Sequence, residues 1–422
     1  MSQIVIRIRR LFLPILAIAG CLSASLLADQ PLLLIGKPPV EAFFLASQGD
    51  GTLAFRWADE THLVPRHELV RWSTPNDNLD RPVAVLVDGS QLVLAESWSG
   101  QRTLHVGAES SIVLTDHLGE VDFPRAKLRA VLLKAPADSL RRRQLLARLL
   151  SRQAEYDRLL LANGDELTGK LLEIDTQSAA IEFQLAGNNQ PTTVVSDRVA
   201  GFALAFAAQP APRGELAVGM RDGSYLVAKS FDTVPESVRI ELACGIRLAG
   251  QGPHDIVHLQ SFGPQLRYLS ELDPAEYRHE PFLNVPWPYR RNLNVFGGPL
   301  LVDKRHYRQG LAMHSASWLT YDLARPDEAA GEQASNSRLR RFAAQLAIDD
   351  AADGWGSVVF RVLLRQADSL QEAYVSPVVR GGDLPLPISV ELGDADQLLL
   401  AVEYADRGDQ RDYANWLDAR LE

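Results

Sequence analysis

Cysteine is nearly absent, with only Cys21 and Cys244 in 422 residues. Once Cys21 is cleaved off or lipidated no disulfide can form within the chain, so the fold must stand on hydrophobic packing. Cys244 lies between Leu242-Ala243 and Gly245-Ile246. It reads as a small buried hydrophobe, since a reactive thiol needs an electropositive, partly open setting. Basic excess is also missing: 43 Lys and Arg against 53 Asp and Glu leave a net charge of −10. That balance excludes a free-standing nucleic-acid-binding face, which requires clustered cations. Nothing in the bulk composition suggests several membrane spans, and 46% hydrophobic with 23% charged residues is ordinary for a folded soluble chain. A length of 422 residues predicts two to four domains.

The N-terminus departs from this background. Arg7, Arg9 and Arg10 precede the apolar run Leu11 to Ala19, and small residues follow at Gly20, Ser23, Ala24, Ser25 and Ala28. Basic, apolar and small in that order read as a secretory signal over residues 1–28. Three outcomes are open: cleavage before Asp29, lipidation of Cys21 within Ile18-Ala19-Gly20-Cys21, or an uncleaved anchor. Each puts the rest of the chain outside the cytoplasm, as a periplasmic, cell-surface or extracellular protein. Membrane contact is then expected only through an N-terminal lipid or anchor.

Between residues 29 and 265 short β-type runs alternate with recurring turns. Asp88-Gly89-Ser90, Asn163-Gly164-Asp165 and Asp222-Gly223-Ser224 each separate two apolar runs, as hairpin turns with positive φ do. Val64-Pro65-Arg66 matches Phe123-Pro124-Arg125, with looser echoes at Val195-Ser196-Asp197 and His254-Asp255-Ile256, and a degenerate first hairpin is expected at Asp50-Gly51-Thr52-Leu53. The pattern predicts repeated small β-barrel-like units, two over 29–135 and two over 156–265, resembling SH3-like or Sm-like barrels in outline or forming one stack. They read as a spacer or as a surface for a protein partner. One helix over 136–155 bridges the pairs, with Leu145, Leu146, Leu149 and Leu150 on one face and five arginines on a solvated remainder. A Pro- and aromatic-rich connector over 266–291 is expected to run extended across a surface.

Residues 292–422 read as all-β, with a polar loop from Arg325 to Arg338 between strands. In order they carry Gly297-Gly298-Pro299-Leu300, Tyr307-Arg308-Gln309-Gly310-Leu311-Ala312-Met313-His314-Ser315, Ile348-Asp349-Asp350, Gly356-Ser357-Val358-Val359-Phe360 and Asp412-Tyr413-Ala414-Asn415-Trp416-Leu417-Asp418. This series resembles the NPCBM module, a carbohydrate-binding domain found with family 98 glycoside hydrolases. The resemblance covers about a third of the chain. It implies a galactose-binding-like jelly-roll β-sandwich, a glycan partner and a bound calcium. Tyr413 and Asn415 stand where the family usually has His and Asp, which leaves the ligand open.

Read singly, His314, Ser315 and Asp322 or Asp349 lack a nucleophile elbow, and adjacent Asp349 and Asp350 would point to opposite faces of a strand. No catalytic residue is assigned. The carbohydrate-binding candidates are Trp355, His314, Asp349, Asp350, Tyr413, Asn415 and Trp416. Trp355, between two glycines, reads as exposed, whereas Trp416 reads as core. Asp406, Asp409 and Asp412 are the calcium candidates, against the reading of a solvated acidic loop; no other cofactor is expected. The leading expectation is an exported, non-catalytic carbohydrate binder. The alternatives are an envelope assembly protein that binds protein partners and a glycan-active enzyme using N-terminal carboxylates such as Glu166, Asp197 and Asp222.

Overall fold

A computed structural model of the chain describes residues 29–422 apart from 50, 77–79, 97–101, 151–154, 207–213, 235–236, 264, 283–284 and 324–338. The segment read as a secretory signal, with Cys21, Asp50 of the expected first hairpin and the stretch from Arg325 to Arg338 expected as a loop fall outside the described residues. The described chain is mainly β, in antiparallel sheets, with one α-helix.

From Gln30 to Ser261 a similar order of elements occurs four times, with six strands in the second group (Val83–Leu86 to Leu128–Leu132) and five in each of the others. In the first group strands Gln30–Leu34, Val40–Ser47, Thr52–Trp57 and Glu60–Pro65 pair in succession. A 3-10 turn, Arg66–Glu68, then leads into Leu69–Trp72, which pairs back onto Gln30–Leu34. The later groups end on 3-10 turns Arg125–Lys127, Ser196–Arg198 and Pro253–Asp255, each followed by its own closing strand. One hydrogen bond marks the equivalence. The amides of Ile35, Val87, Ala162 and Arg221, each just past or at the end of a first strand, donate to the carbonyls of Glu68, Lys127, Arg198 and Asp255 at 2.8, 3.0, 2.8 and 2.8 Å. Gly89, Gly164 and Gly223 have φ of 88°, 93° and 93°, the left-handed backbone their hairpin turns require. The first group's equivalent turn lies at Gly36, whereas Gly51 joins the second and third strands. The motif at 50–53 is therefore a different turn from the other three.

The groups do not stack in chain order. Closing strands pair across groups, Leu69–Trp72 with Ile256–Ser261 and Leu128–Leu132 with Val199–Ala203, so the first sits on the fourth and the second on the third. Fourth and second meet through their Asp-Gly-Ser turns: the Val93 amide donates to Ser224 Oγ at 3.0 Å and the Val227 amide to Ser90 Oγ at 2.9 Å. One apolar core runs through all four groups. The helix, Ser139–Leu150, is capped by Asp138, whose carboxylate accepts the Arg141 amide at 2.6 Å, and buries Leu149 against Val83, Leu132 and Leu160. Its remaining surface is not simply solvated. Arg142 is buried and bonds Pro136 O, and Arg143 reaches His306 of the sandwich at 2.6 Å.

The sandwich begins earlier than residue 292. Strands Arg267–Tyr268, Glu276–His279 and Arg290–Arg291, all within the expected connector, pair with Ala414–Leu421, Ser317–Asp322 and Gly310–Met313. Strands of two to four residues broken by prolines carry no readable alternation, which is why the sequence hides them. One sheet runs Arg290–Arg291, Gly310–Met313, Ala414–Leu421, Arg341–Ile348, Leu386–Glu391; the other runs Glu276–His279, Ser317–Asp322, Gln397–Tyr404, Ser357–Gln366, Ser369–Val375. Leu311, Phe342, Leu346, Phe360, Leu400 and Trp416 fill the space between them.

Array and sandwich share a buried polar junction. Arg71 of the first group donates to Asp418 at 2.9 Å, with both side chains almost inaccessible to solvent. The Arg71 guanidinium also lies 5.0 Å from the Tyr307 ring centre, and that of Arg308 lies 3.8 Å from the centre of Tyr225. Leu266 packs with Leu33 and Val70 beside them.

Candidate functional site

The site is assembled around one buried carboxylate. Asp349 ends strand Arg341–Ile348 and is 1% exposed. Its oxygens accept the amides of Leu301 and Ala351, each at 3.1 Å, and the side-chain amides of Asn415 at 2.9 Å and Asn294 at 3.2 Å. Burial raises its pKa, opposed by these four donors. Asn294 in turn accepts from the amides of Phe296 at 3.1 Å and Gly298 at 2.9 Å, forming a tight turn that presents Phe296.

Phe296 meets the ring of Tyr413 at 4.7 Å and that of Trp287 at 5.7 Å, both edge to face. Trp287 lies parallel to His314 at 4.8 Å, and His279 approaches His314 edge-on at 6.1 Å. Two hydrogen bonds pin Trp287: its amide donates to His279 Nδ1 at 3.1 Å, and its carbonyl accepts the Tyr277 hydroxyl. His279 Nδ1 must therefore be unprotonated. Burial pushes the His314 imidazole down to about 4 and lowers His279 as well, so both rings are neutral at pH 7.

Of these rings, Trp287, His279, His314 and Tyr413 border an open cavity of about 520 Å³, with Phe296 packed behind Trp287 and Tyr413. Phe282, Val285 and Tyr404 stand at its mouth, strongly exposed, and Glu280, Asp409 and Arg411 supply its charges. Of the sequence candidates, His314 and Tyr413 line the cavity and Asp409 joins them. Asp349 and Asn415 are buried behind it as supports. Asp350 accepts the amides of Asp303 and Lys304 at 3.0 and 2.8 Å, fastening a neighbouring hairpin. Trp355 is 51% exposed but stands outside the cavity, on a loop tied to it by Arg411. Trp416 is fully buried against Phe342 and Phe360 and can present no face to a ligand. Trp287 and His279 escaped sequence reasoning because they sit in the stretch taken for a connector; the aromatic spacing there was the available signal.

The three acidic calcium candidates are held in different ways. Asp406 pairs with Arg380 at 2.6 Å, while Asp412 is fully buried and accepts the Ser357 amide at 2.9 Å. Burial carries the Asp412 carboxyl up to about 6, and only Asp409 faces the cavity. Among the described residues no three His, Cys, Asp or Glu side chains are placed to hold a metal. In the array Glu166 is bound by Arg158 at 3.2 Å, Asp197 is exposed beside Lys134, and Asp222 accepts the Ser224 amide within its own turn. They lie on separate turns and strand ends of two different groups.

No curated protein matches the chain. Among solved structures it is similar to the CBM51 of a Clostridium perfringens GH95 in complex with methyl-galactose. That likeness has 18% identity and a TM-score of 0.31, and covers 37% of this chain and 99% of that one. It is similar to the CBM51-2 and INT domains of Clostridium perfringens ZmpB in complex with GlcNAc at 20% identity and a TM-score of 0.30, covering 46% of this chain and 39% of that one. The tandem CBM51 modules of a family 98 glycoside hydrolase from Streptococcus pneumoniae SP3-BS71 follow at 11% identity and a TM-score of 0.29, with 64% and 89% covered. Residues 265–422, which take in the early strands at Arg267, Glu276 and Arg290, match the family model of the NPCBM/NEW2 domain.

Proposed function

We propose that this chain is an exported, non-catalytic protein that binds carbohydrate in the cavity bordered by Trp287, His314 and Tyr413. The observation that carries the reading is the combination in one open site of about 520 Å³ of packed aromatic rings with a few polar groups. Small-ligand sites have volumes of roughly 300–1,000 Å³ and this mixed lining. A sugar offers C–H faces to the rings and hydroxyls to Asp409 and the tyrosines, while the supports behind the rings hold them in place before binding. The match to the NPCBM/NEW2 family over 265–422 supports the same reading.

Titration of the full chain on a broad glycan array tests it. Binding is expected for at least one glycan and should be lost in Trp287→Ala, with the glycan recovered intact. A folded protein that binds no glycan, or a Trp287→Ala variant that binds unchanged, would sink the proposal. Hydrolysis of the bound glycan would overturn its non-catalytic part.

A further inference from the structure

The ionisable side chains around the cavity are committed elsewhere, with one exception. Glu280 is bound by Arg278. Arg411 is drawn away to the Ala352 carbonyl at 3.3 Å and the Asp353 carboxylate at 3.6 Å. His279 spends Nδ1 on the Trp287 amide, and His314 lies against Trp287, its Nδ1 3.5 Å from Ser315 Oγ. Asp409, half-buried in the cavity wall, has no hydrogen-bond or ion-pair partner among the described residues. The site thus presents one uncompensated negative charge between aromatic faces. Such a surface accepts O–H and N–H donors, attracts cations through both carboxylate and rings, and repels anions.

Resting on the carbohydrate reading, we infer that Asp409 sets the charge class of the ligand: the cavity takes neutral and amine-bearing sugars and rejects sugars that carry a carboxylate. A unit charge beside a half-buried carboxylate changes binding by roughly tenfold, in opposite senses for the two signs.

The test is titration of the full chain with matched trios, glucose, glucosamine and glucuronate and their galactose-series equivalents, at low and high salt. In the trio whose neutral hexose binds, the amine should bind roughly tenfold tighter and the uronate roughly tenfold weaker, with the spread shrinking in salt. Asp409→Asn should collapse the spread, whatever it does to the affinity for the neutral sugar. The double variant Arg278→Gln/Glu280→Gln, which removes a paired carboxylate together with its cation and leaves the net charge unchanged, should leave the order intact. A uronate that binds as well as the neutral hexose overturns the inference, and so does a spread that survives Asp409→Asn or collapses in Arg278→Gln/Glu280→Gln. In those outcomes the neutral hexose still binds and carbohydrate recognition stands. Failure of every sugar on the array defeats both.

Discussion

Replacing Arg71 with Met tests whether array and sandwich are welded by their buried ion pair. Arg71 and Asp418 are 3% and 0% exposed at the side chain, and their contact is 2.9 Å. Burial, the largest single influence, would lower the Arg71 pKa, yet the Asp418 charge and hydrogen bond together with Tyr307 and Tyr268 outweigh it and the net shift is upward, so the guanidinium is held charged in the junction. With Arg71 gone, the Asp418 carboxylate keeps one donor among the described residues, Gln345 Nε2 at 3.1 Å, and its Oδ1 has no hydrogen bond among them. An orphaned buried charge costs about 3–5 kcal/mol, and loss of the Tyr307 contact adds roughly 0.5–1 kcal/mol. Asp418 sits at φ 48°, a left-handed backbone that Asn tolerates and branched residues do not, so Asp418→Asn is the matching partner change. Arg71→Met/Asp418→Asn should cost less than the two single changes summed, by about 2 kcal/mol, because no unpaired charge is left. Denaturant unfolding followed by tryptophan fluorescence and by calorimetry reads both quantities. In Arg71→Met the transition should also broaden or split as array and sandwich uncouple. A cost below about 1 kcal/mol together with strict additivity would refute the reasoning, since the junction would then be wet or dispensable.

Three further outcomes follow from buried groups. His258 donates Nδ1–H to Ser73 O at 3.1 Å, and burial, with Arg71 and Arg308 nearby, drives it down to about 3. The unfolded chain takes up this proton near pH 6.5 and the folded one does not, so its stabilising contribution is complete above 6.5 and is lost as the pH falls toward 3. The loss runs at up to about 1.4 kcal/mol per pH unit. Denaturation midpoints should therefore fall more steeply in the wild type than in His258→Gln on acidification, and equal slopes would count against a neutral buried ring. Ser224→Ala strands the Val93 amide and Ser90→Ala the Val227 amide, at about 1–3 kcal/mol each by equilibrium unfolding; changes under about 0.3 kcal/mol would mean that water replaces the hydroxyls. Trp416→Ala should cost about 3–5 kcal/mol, whereas Trp355→Ala should stay within about 0.5 kcal/mol and leave glycan binding unchanged. Loss of binding in Trp355→Ala would move the site.

Much of the fold was legible because it depends on local chemistry. Asp-Gly and Asn-Gly turns need positive φ whatever surrounds them, and the three named hairpins form where those pairs stand. The helix and its leucine face, which meets the second and third groups, were likewise written in spacing. The ordered motifs of the C-terminal part pointed to its family, and the family match agrees. The site was legible only in part. His314 and Tyr413 were named and do line the cavity, but Asp349 and Asn415 turned out to support the rings from behind.

By itself the sequence determined that this is a β protein held by packing rather than disulfides, where its turns fall, and that its C-terminal part is NPCBM-like. Tertiary structure alone decided the order in which the four groups join and that the 266–291 stretch belongs to the sandwich. It also decided that Trp287 stacks on His314 and that Asp409 stands in the cavity wall with no partner among the described residues. The reason is range. A turn is fixed by two or three neighbouring residues, whereas a strand of two to four residues, a buried ion pair or a ligand cavity exists only once distant segments meet.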